Sequence, residues 1–351
     1  MSSSKHNPGR NHPDSQPPQS ASRRSVLRVA GASALASMAP LLATPARAQE
    51  AKRIRFAHPA PPAHGWHLWA EQFKKSIEEK TGGKVTVQIY PSAQMGNERD
   101  TAQAVRQGSL EMGAIGVGLM NWVPEMSITD APFLWKSRAQ CWNAINGAFG
   151  DDLRKRSLDK GFVLTGWTDL GFRSMTNNKH PINSAKDMQN LKMRVPNSKA
   201  YIAMMQATGA TTVAVDLSEL YLALRQGVAD GQDTPPPVVK SNKYYEVQKY
   251  ISKTEHMLTI AYTVTNPKFY DSLSAGEKAA FNAACGEANT FLRNQTVKDE
   301  GETYEFLKAQ GMQVNLTPDV ESFRVACAPV IDKNPDLFVP ELVKIARSTP
   351  A

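Results

Sequence analysis

From residue 54 onward the apolar positions switch repeatedly between a period of two and a period near 3.6. Ile54 to Ala60 reads as a first strand, ended by prolines. Trp66, Trp69, Ala70, Phe73 and Ile77 then recur at helical spacing, with Lys74, Lys75, Glu78 and Glu79 off that face. Thr81-Gly82-Gly83 stops the helix, because glycine alone takes the left-handed C-terminal cap without strain. Lys84 to Tyr90 alternates as a second strand. A helix ending Ala104 to Gly108 leads into a short apolar strand, Leu110 to Gly116. Strand, helix and strand in alternation predict an α/β domain.

The pattern then repeats. A helix ending Ala207 to Gly209, a strand Thr211 to Val215 and a helix Leu217 to Gly227 precede another strand, beginning VADGQD. Both halves carry alanine, an apolar residue, then Arg-Gln-Gly, at Ala104 to Gly108 and at Ala223 to Gly227. In both, the phrase ends a helix and precedes a strand. Two α/β domains of similar wiring are expected. The C-terminal part differs. His256 to Thr265 is one apolar strand, and Ser274 to Glu277 has the spacing of a capping box. A helical pattern runs from there to about Gln310, roughly 50 Å at 1.5 Å per residue, enough to brace two domains. No Gly/Ser linker separates the halves, so the chain is expected to cross between them more than once. The boundaries expected are 52–172 plus about 258–298 for the first domain, and 173–257 plus about 299–351 for the second.

The first 48 residues change the reading of charge. SRRSVLR (Ser22 to Arg28), the Ala-rich run Val29 to Ala43 and Ala46-Arg47-Ala48 supply the three parts of an export signal. The paired arginines resemble a twin-arginine signal. Removal after about Ala48 would leave 303 residues in the periplasm, and the apolar run is too short to anchor them in a membrane. The signal holds six Lys or Arg and one Asp, so the net charge of +8 falls to +3. That gives no argument for nucleic acid. Cys141, Cys285 and Cys327 are far apart, without metal spacing. One disulfide would be compatible with export, and Cys285 reads as a small buried hydrophobe on a helix face.

Catalytic motifs are missing. There is no G-x-G-x-x-G after a strand, and no Walker loop, C-x-x-C, H-E-x-x-H or G-x-S-x-G. No cofactor or metal is expected. His58, His64 and His67 lie close together and read as solvated loop histidines, with metal binding the weaker alternative; His256 reads as a hydrogen-bonded structural residue. An exported enzyme remains the rival class, because the twin-arginine route carries folded cofactor proteins.

Three strand ends carry binding chemistry. In open α/β sheets, ligands sit outside the carboxyl ends of strands. Leu191, Met193 and Val195 share one face of a strand, and Lys192, Arg194 and Pro196 the other, so Arg194 is the last charge before the chain turns. Arg173 follows WTDLGF. Gln232, Asp233 and Thr234 end a third strand. Two arginines at strand ends suit a carboxylate, whose oxygens match the guanidinium fork. Taken alone, each could equally be a surface or ion-paired arginine.

The stretches GFRSMTNNKHPINSAKDMQNLKMRVPNS, LSELYLALRQGVADGQDTP and YYEVQKYISKTEH, with IYPSAQMGNERDTAQAVRQGSLEMG and PEMSITDAPFLW before them, resemble the DctP-type substrate-binding proteins of TRAP (tripartite ATP-independent periplasmic) transporters. The resemblance covers roughly residues 52 to 340. It implies a two-domain α/β periplasmic binding protein fold, a central ligand cleft and a long C-terminal helix bracing both domains. It also implies capture of an organic acid and delivery to the small and large subunits of a membrane permease. The family's cleft arginine falls on Arg194, where it pairs with the ligand carboxylate, and a second on Arg173. Thr234 stands where the family turn usually supplies Asn, after Asp233. His58 stands near the first strand's end, where some members place a ligand-binding Asn. The segment Gly113 to Gly118 is small and apolar where sialic-acid binders place an acidic contact, which argues against a polyhydroxy acid. Trp167, Phe133 and Trp122 are candidate aromatic walls. The ligand expected is a small carboxylate with an apolar or aromatic body, or a C4 dicarboxylate with one carboxylate per arginine. A binding protein of an ATP-driven importer is the second rival.

Overall fold

The computed structural model describes residues 51–351; the expected export signal and its cleavage after Ala48 lie outside them. In chain order, the first half supplies β1 (Lys52–Ala57), α1 (Gly65–Thr81), β2 (Val85–Tyr90), α2 (Glu98–Gln107), β3 (Met112–Ile115), α3 (Arg138–Ile145), α4 (Ala148–Asp159) and β4 (Val163–Phe172). The second supplies β5 (Ser174–Asn177), β6 (Lys192–Val195), α5 (Lys199–Ala207), β7 (Thr211–Ala214), α6 (Leu220–Arg225), β8 (Gly231–Thr234), α7 (Pro236–Ser241) and β9 (Tyr250–Ser252). Then come β10 (Leu258–Thr265), α8 (Pro267–Ser272), α9 (Ala275–Ala309), β11 (Gln313–Asn315), α10 (Val320–Lys333) and α11 (Pro340–Ser348).

The strands form two sheets, ordered β2-β1-β3-β10-β4 and β11-β9-β5-β8-β6-β7. Their wiring matches. β1 pairs in parallel with β2 and β3, and β10 runs antiparallel to β3 and β4. Likewise β6 pairs in parallel with β7 and β8, and β5 runs antiparallel to β8 and β9. The recurrent Arg-Gln-Gly phrase ends α2 and α6, and its glycines Gly108 and Gly227 take the positive φ that stops each helix.

Each sheet therefore takes one strand from beyond its own sequence run, β10 for the first and β11 for the second. The helix α9 links the two. Ser274 and Glu277 form the expected capping box, so the orphan N–H groups at its start are satisfied. Its 35 residues pack on α1 and β4 and also on α7 and β11. Phe281 closes an aromatic column with Phe73 and Trp69 from α1. Where the chain passes from β4 to β5, Phe172 N–H donates to Glu300 of α9 at 2.7 Å, and Arg138 bridges Asp169 and Glu300. Gly171 sits there at φ +106°, and a Cβ on it would come within 2.5 Å of the Glu300 carboxylate. After α9 the chain touches both halves: α10 packs on α5, and α11 on α3 and α4.

The three cysteines are buried and free. Among the described residues, no helix is long and apolar enough to cross a membrane.

Candidate ligand-binding cleft

Arg194 occupies the position its alternation predicts. Leu191, Met193 and Val195 are buried on one face of β6, and Lys192 is exposed on the other. Arg194 shares the face of Lys192 and yet is only 3% exposed. Its Nε donates to the Val215 carbonyl at 2.8 Å, which fixes the guanidinium. That is its one hydrogen bond to protein among the described residues, and its side chain lines two adjoining cavities. Burial lowers its pKa, and the nearby Arg173 charge adds to this. A buried cation with one neutral partner favours an anion beside it.

Arg173 is arranged differently. Its Nε lies 2.6 Å from Asp233 Oδ2, a second nitrogen donates to Thr259 Oγ1 at 3.1 Å, and a third to the Asp233 carbonyl. The Tyr201 ring packs 4.9 Å from the guanidinium carbon. His256 approaches the same Asp233 oxygen at 3.1 Å and is itself hydrogen-bonded to Thr254. Burial works against the Asp233 carboxylate, but Arg173 and His256 outweigh it and hold its pKa well below the usual range. Arg173 lines the second cavity, whereas Asp233 lines neither. Asp233 therefore holds Arg173 in place rather than facing a ligand.

The two cavities, of about 120 and about 60 Å³, share Glu98, Val117, Arg194, Pro196 and Leu217. They lie where the strand ends of the two sheets face each other. The first is polar, with Asn97, Asn121, Asp216 and Ser218 around Glu98 and Arg194. The second is apolar, with Trp66, Leu170, Val238 and Ile260 on its walls, and Thr234 beside Arg173. Trp66 Nε1 and Thr234 Oγ1 are buried polar atoms without a protein partner. Asp130 also lines this cavity, accepts from Tyr201 at 2.9 Å, and is pushed up to about 7 by burial against the opposing pull of Arg173.

Glu98 was not anticipated from sequence. It opens α2, directly after the capping residue Asn97. Its Oε2 accepts from Gly116 N and Gly118 N, both at 2.9 Å. Gly118 has no room for a side chain, since a Cβ would come within 2.5 Å of Glu98 Cβ. The apolar segment Gly113 to Gly118 thus receives its acidic group from α2. Burial raises the Glu98 pKa, while the two N–H groups and Arg194 oppose that shift. Asn97 also reaches across the cleft, donating to Asp216 at 2.9 Å.

The remaining expected residues lie elsewhere. Trp167 packs in the core against Tyr262, with Arg154 over its ring, and lines neither cavity. Phe133 lies in a separate surface pocket under Arg324; its N–H donates to the His256 carbonyl. Trp122 packs under Arg106. His58 and His64, expected as solvated, are buried, because the prolines after β1 fold the loop onto α1. Burial pushes both down to about 3, so they are neutral. His58 pairs with His67 at 3.1 Å, and His64 caps α1 and lines the second cavity. No group of three or more potential metal ligands occurs among the described residues.

Known proteins share this fold. The family model for bacterial extracellular solute-binding protein, family 7, matches residues 56–335. A TRAP periplasmic solute-binding protein from Polaromonas sp. JS666, bound to D-erythronate, superposes with a TM-score of 0.82 at 32% identity, covering 86% of this chain and 99% of that one. One from Bordetella, with density interpreted as pantoate, gives 0.82 at 30% identity, covering 86% and 100%. The sialic acid-binding periplasmic protein SiaP of Vibrio cholerae is 33% identical over 268 residues, 74% of this chain and 81% of that protein.

Proposed function

The chain belongs to the bacterial extracellular solute-binding proteins of family 7, and we propose that it captures a small carboxylate at Arg194 and presents it to the small and large membrane subunits of a TRAP-type permease. It is a binding component of a transporter and not an enzyme. The observation that carries the ligand reading is Arg194 itself: buried, fixed by one bond to Val215, and facing both cavities. Erythronate and pantoate, the molecules in the two solved relatives, are both carboxylates.

The charge of Arg173 is already answered by Asp233, so a single carboxylate anchored on Arg194 suits the cleft better than a dicarboxylate shared between two arginines. The expected export signal delivers the chain to the periplasm and is removed after about Ala48. Each sheet moves with its helices as one lobe, 52–172 with 258–298 and 173–257 with 299–351, except that α11 packs on α3 and α4 and follows the first lobe; α9 serves as the brace across which they close. Closure excludes water, and the arginine–carboxylate attraction strengthens as the local dielectric falls. Micromolar affinity corresponds to about −8 kcal/mol, of which the ion pair need supply only part.

The test is thermal unfolding of the protein against C4 dicarboxylates, sugar acids, hydroxy acids and aromatic acids. Ligand at a thousand times its Kd adds about 4 kcal/mol of stability. A shift with one class that disappears in Arg194→Ala supports the reading. No shift with any acid, from protein stripped by unfolding and refolding, removes it.

A further inference from the structure

We infer, on the basis of the carboxylate reading above, that the ligand is a short-chain hydroxy acid carrying a small apolar branch. Its carboxylate lies on Arg194, its hydroxyl faces Glu98, and its branch enters the cavity walled by Trp66 and Ile260. Arg194 lines both cavities, so an acid anchored there can extend in two directions. The two directions differ in chemistry.

Glu98 lines both cavities and stands where the larger, polar one opens. Two backbone N–H groups fix its Oε2, and Oε1 has no protein partner among the described residues. The two N–H donors and the Arg194 charge oppose the effect of burial and favour the ionised form, which only accepts and so faces a donor. Around it, Asn97, Asn121 and Ser218 can both donate and accept, which suits a hydroxyl better than an ammonium group. A second ligand carboxylate here would lie against Glu98 and Asp216, with Arg99 the one further cation in the lining, so repulsion disfavours dicarboxylates.

Toward the smaller cavity Leu170, Leu217, Val238 and Ile260 give a mostly apolar surface beside Trp66, with Asp130, Arg173, Thr234 and Thr259 at its polar side. About 60 Å³ admits a branch of a few carbons but not a long chain. A hydroxyl pressed against Leu217, Val238 and Ile260 would lose its hydration, whereas an alkyl branch there loses none. The two buried donors without protein partners, Trp66 Nε1 and Thr234 Oγ1, lie in the wall of this cavity with Arg194 and are available to the same carboxylate. A linear sugar acid would leave the apolar cavity unfilled, and an aromatic acid would overfill it.

The experiment is titration calorimetry on refolded protein with four acids: 2-hydroxy-3-methylbutanoate, 3-methylbutanoate, hydroxyacetate and valine. The first should bind. Removing its hydroxyl or its branch should each weaken binding about tenfold or more, the lower range for losing a group that a pocket fits. Glu98→Gln should shrink the gap between the hydroxy acid and its deoxy partner, while leaving the gap due to the branch. Equal binding of the hydroxy and deoxy acids overturns the inference, and so does preference for valine, which would make Glu98 an ammonium site. If none of the four binds but a sugar acid or dicarboxylate does so through Arg194, this inference falls and the carboxylate reading stands. If no carboxylate binds at all, both fall.

Discussion

The two sheets share a wiring and divide the chemistry. In each, a central strand pairs in parallel with its two neighbours, and an antiparallel strand, β10 in the first and β5 in the second, lies beside the third. The corresponding strand ends are Ala57-His58-Pro59 after β1 and Arg194-Val195-Pro196 at the end of β6. Both prolines line the larger cavity. Yet the second half contributes Arg194 and Thr234 from its strands, with Arg173 at its start, while the helices α2 and α1 of the first contribute Glu98 and Trp66. A repeated scaffold thus places a cationic face opposite an acidic and aromatic one. Shared topology fixes where a side chain stands, and only the residue there fixes what it binds.

The comparison can be broken most forcefully within the second sheet, at Asp233. Asp233→Ala leaves Arg173 buried without its counter-charge and should cost about 3–5 kcal/mol of stability, read by chemical denaturation. A loss under 1 kcal/mol would mean that Arg173 does not depend on this partner. Arg194→Met should act oppositely: binding weakens by about 2–5 kcal/mol, yet the protein without ligand is no less stable, because a buried, poorly compensated cation has gone. Calorimetry and a melting curve on the same sample separate the two effects. Joint loss of binding and fold would make Arg194 structural.

A smaller change sharpens the contrast across the cleft. Asn97→Ser keeps a good helix cap but is too short to reach Asp216. Unchanged melting with a several-fold faster ligand off-rate is expected, and stopped-flow release measures it. An unaltered off-rate would show that the Asn97–Asp216 bond contributes nothing to holding the lobes together.

The smallest expected effect is electrostatic. The pKa of Asp130 is raised in the folded protein to about 7, so the folded state holds this proton more tightly than the unfolded chain. Its contribution to stability is fully present below about pH 4 and is lost as pH rises towards 7. Asp130→Asn should flatten that slope in melting temperature, gaining relative to the parent at pH 8 and not at pH 5. Parallel slopes in the two proteins would rule out Asp130 as the titrating group.

The elements that follow from local periodicity were legible. α1, β2, the strand of Arg194 and the capped 35-residue helix stand where the spacing of apolar residues puts them. Arg194 could be singled out because an alternating strand exposes its last charge at a sheet end. Glu98 could not. In sequence it is one more acid in a helix's first turn, and its partners lie 18 and 20 residues further on. Trp66 was visible only as part of an apolar helical stripe, because core and cavity wall have the same signature. For Trp167 and Phe133 the reverse holds: an aromatic near a strand end suggests a cleft, but packing against Tyr262 and beneath Arg324 is decided by tertiary contacts.

The helix α9 touches both halves and contributes no side chain to either cavity. Substitutions that retune the ligand at strand ends need not disturb the part that transmits motion, and changes along α9 can alter stiffness without altering taste. Heredity can therefore vary cargo and mechanics separately, and one scaffold can be refitted for many acids while its working stroke is kept.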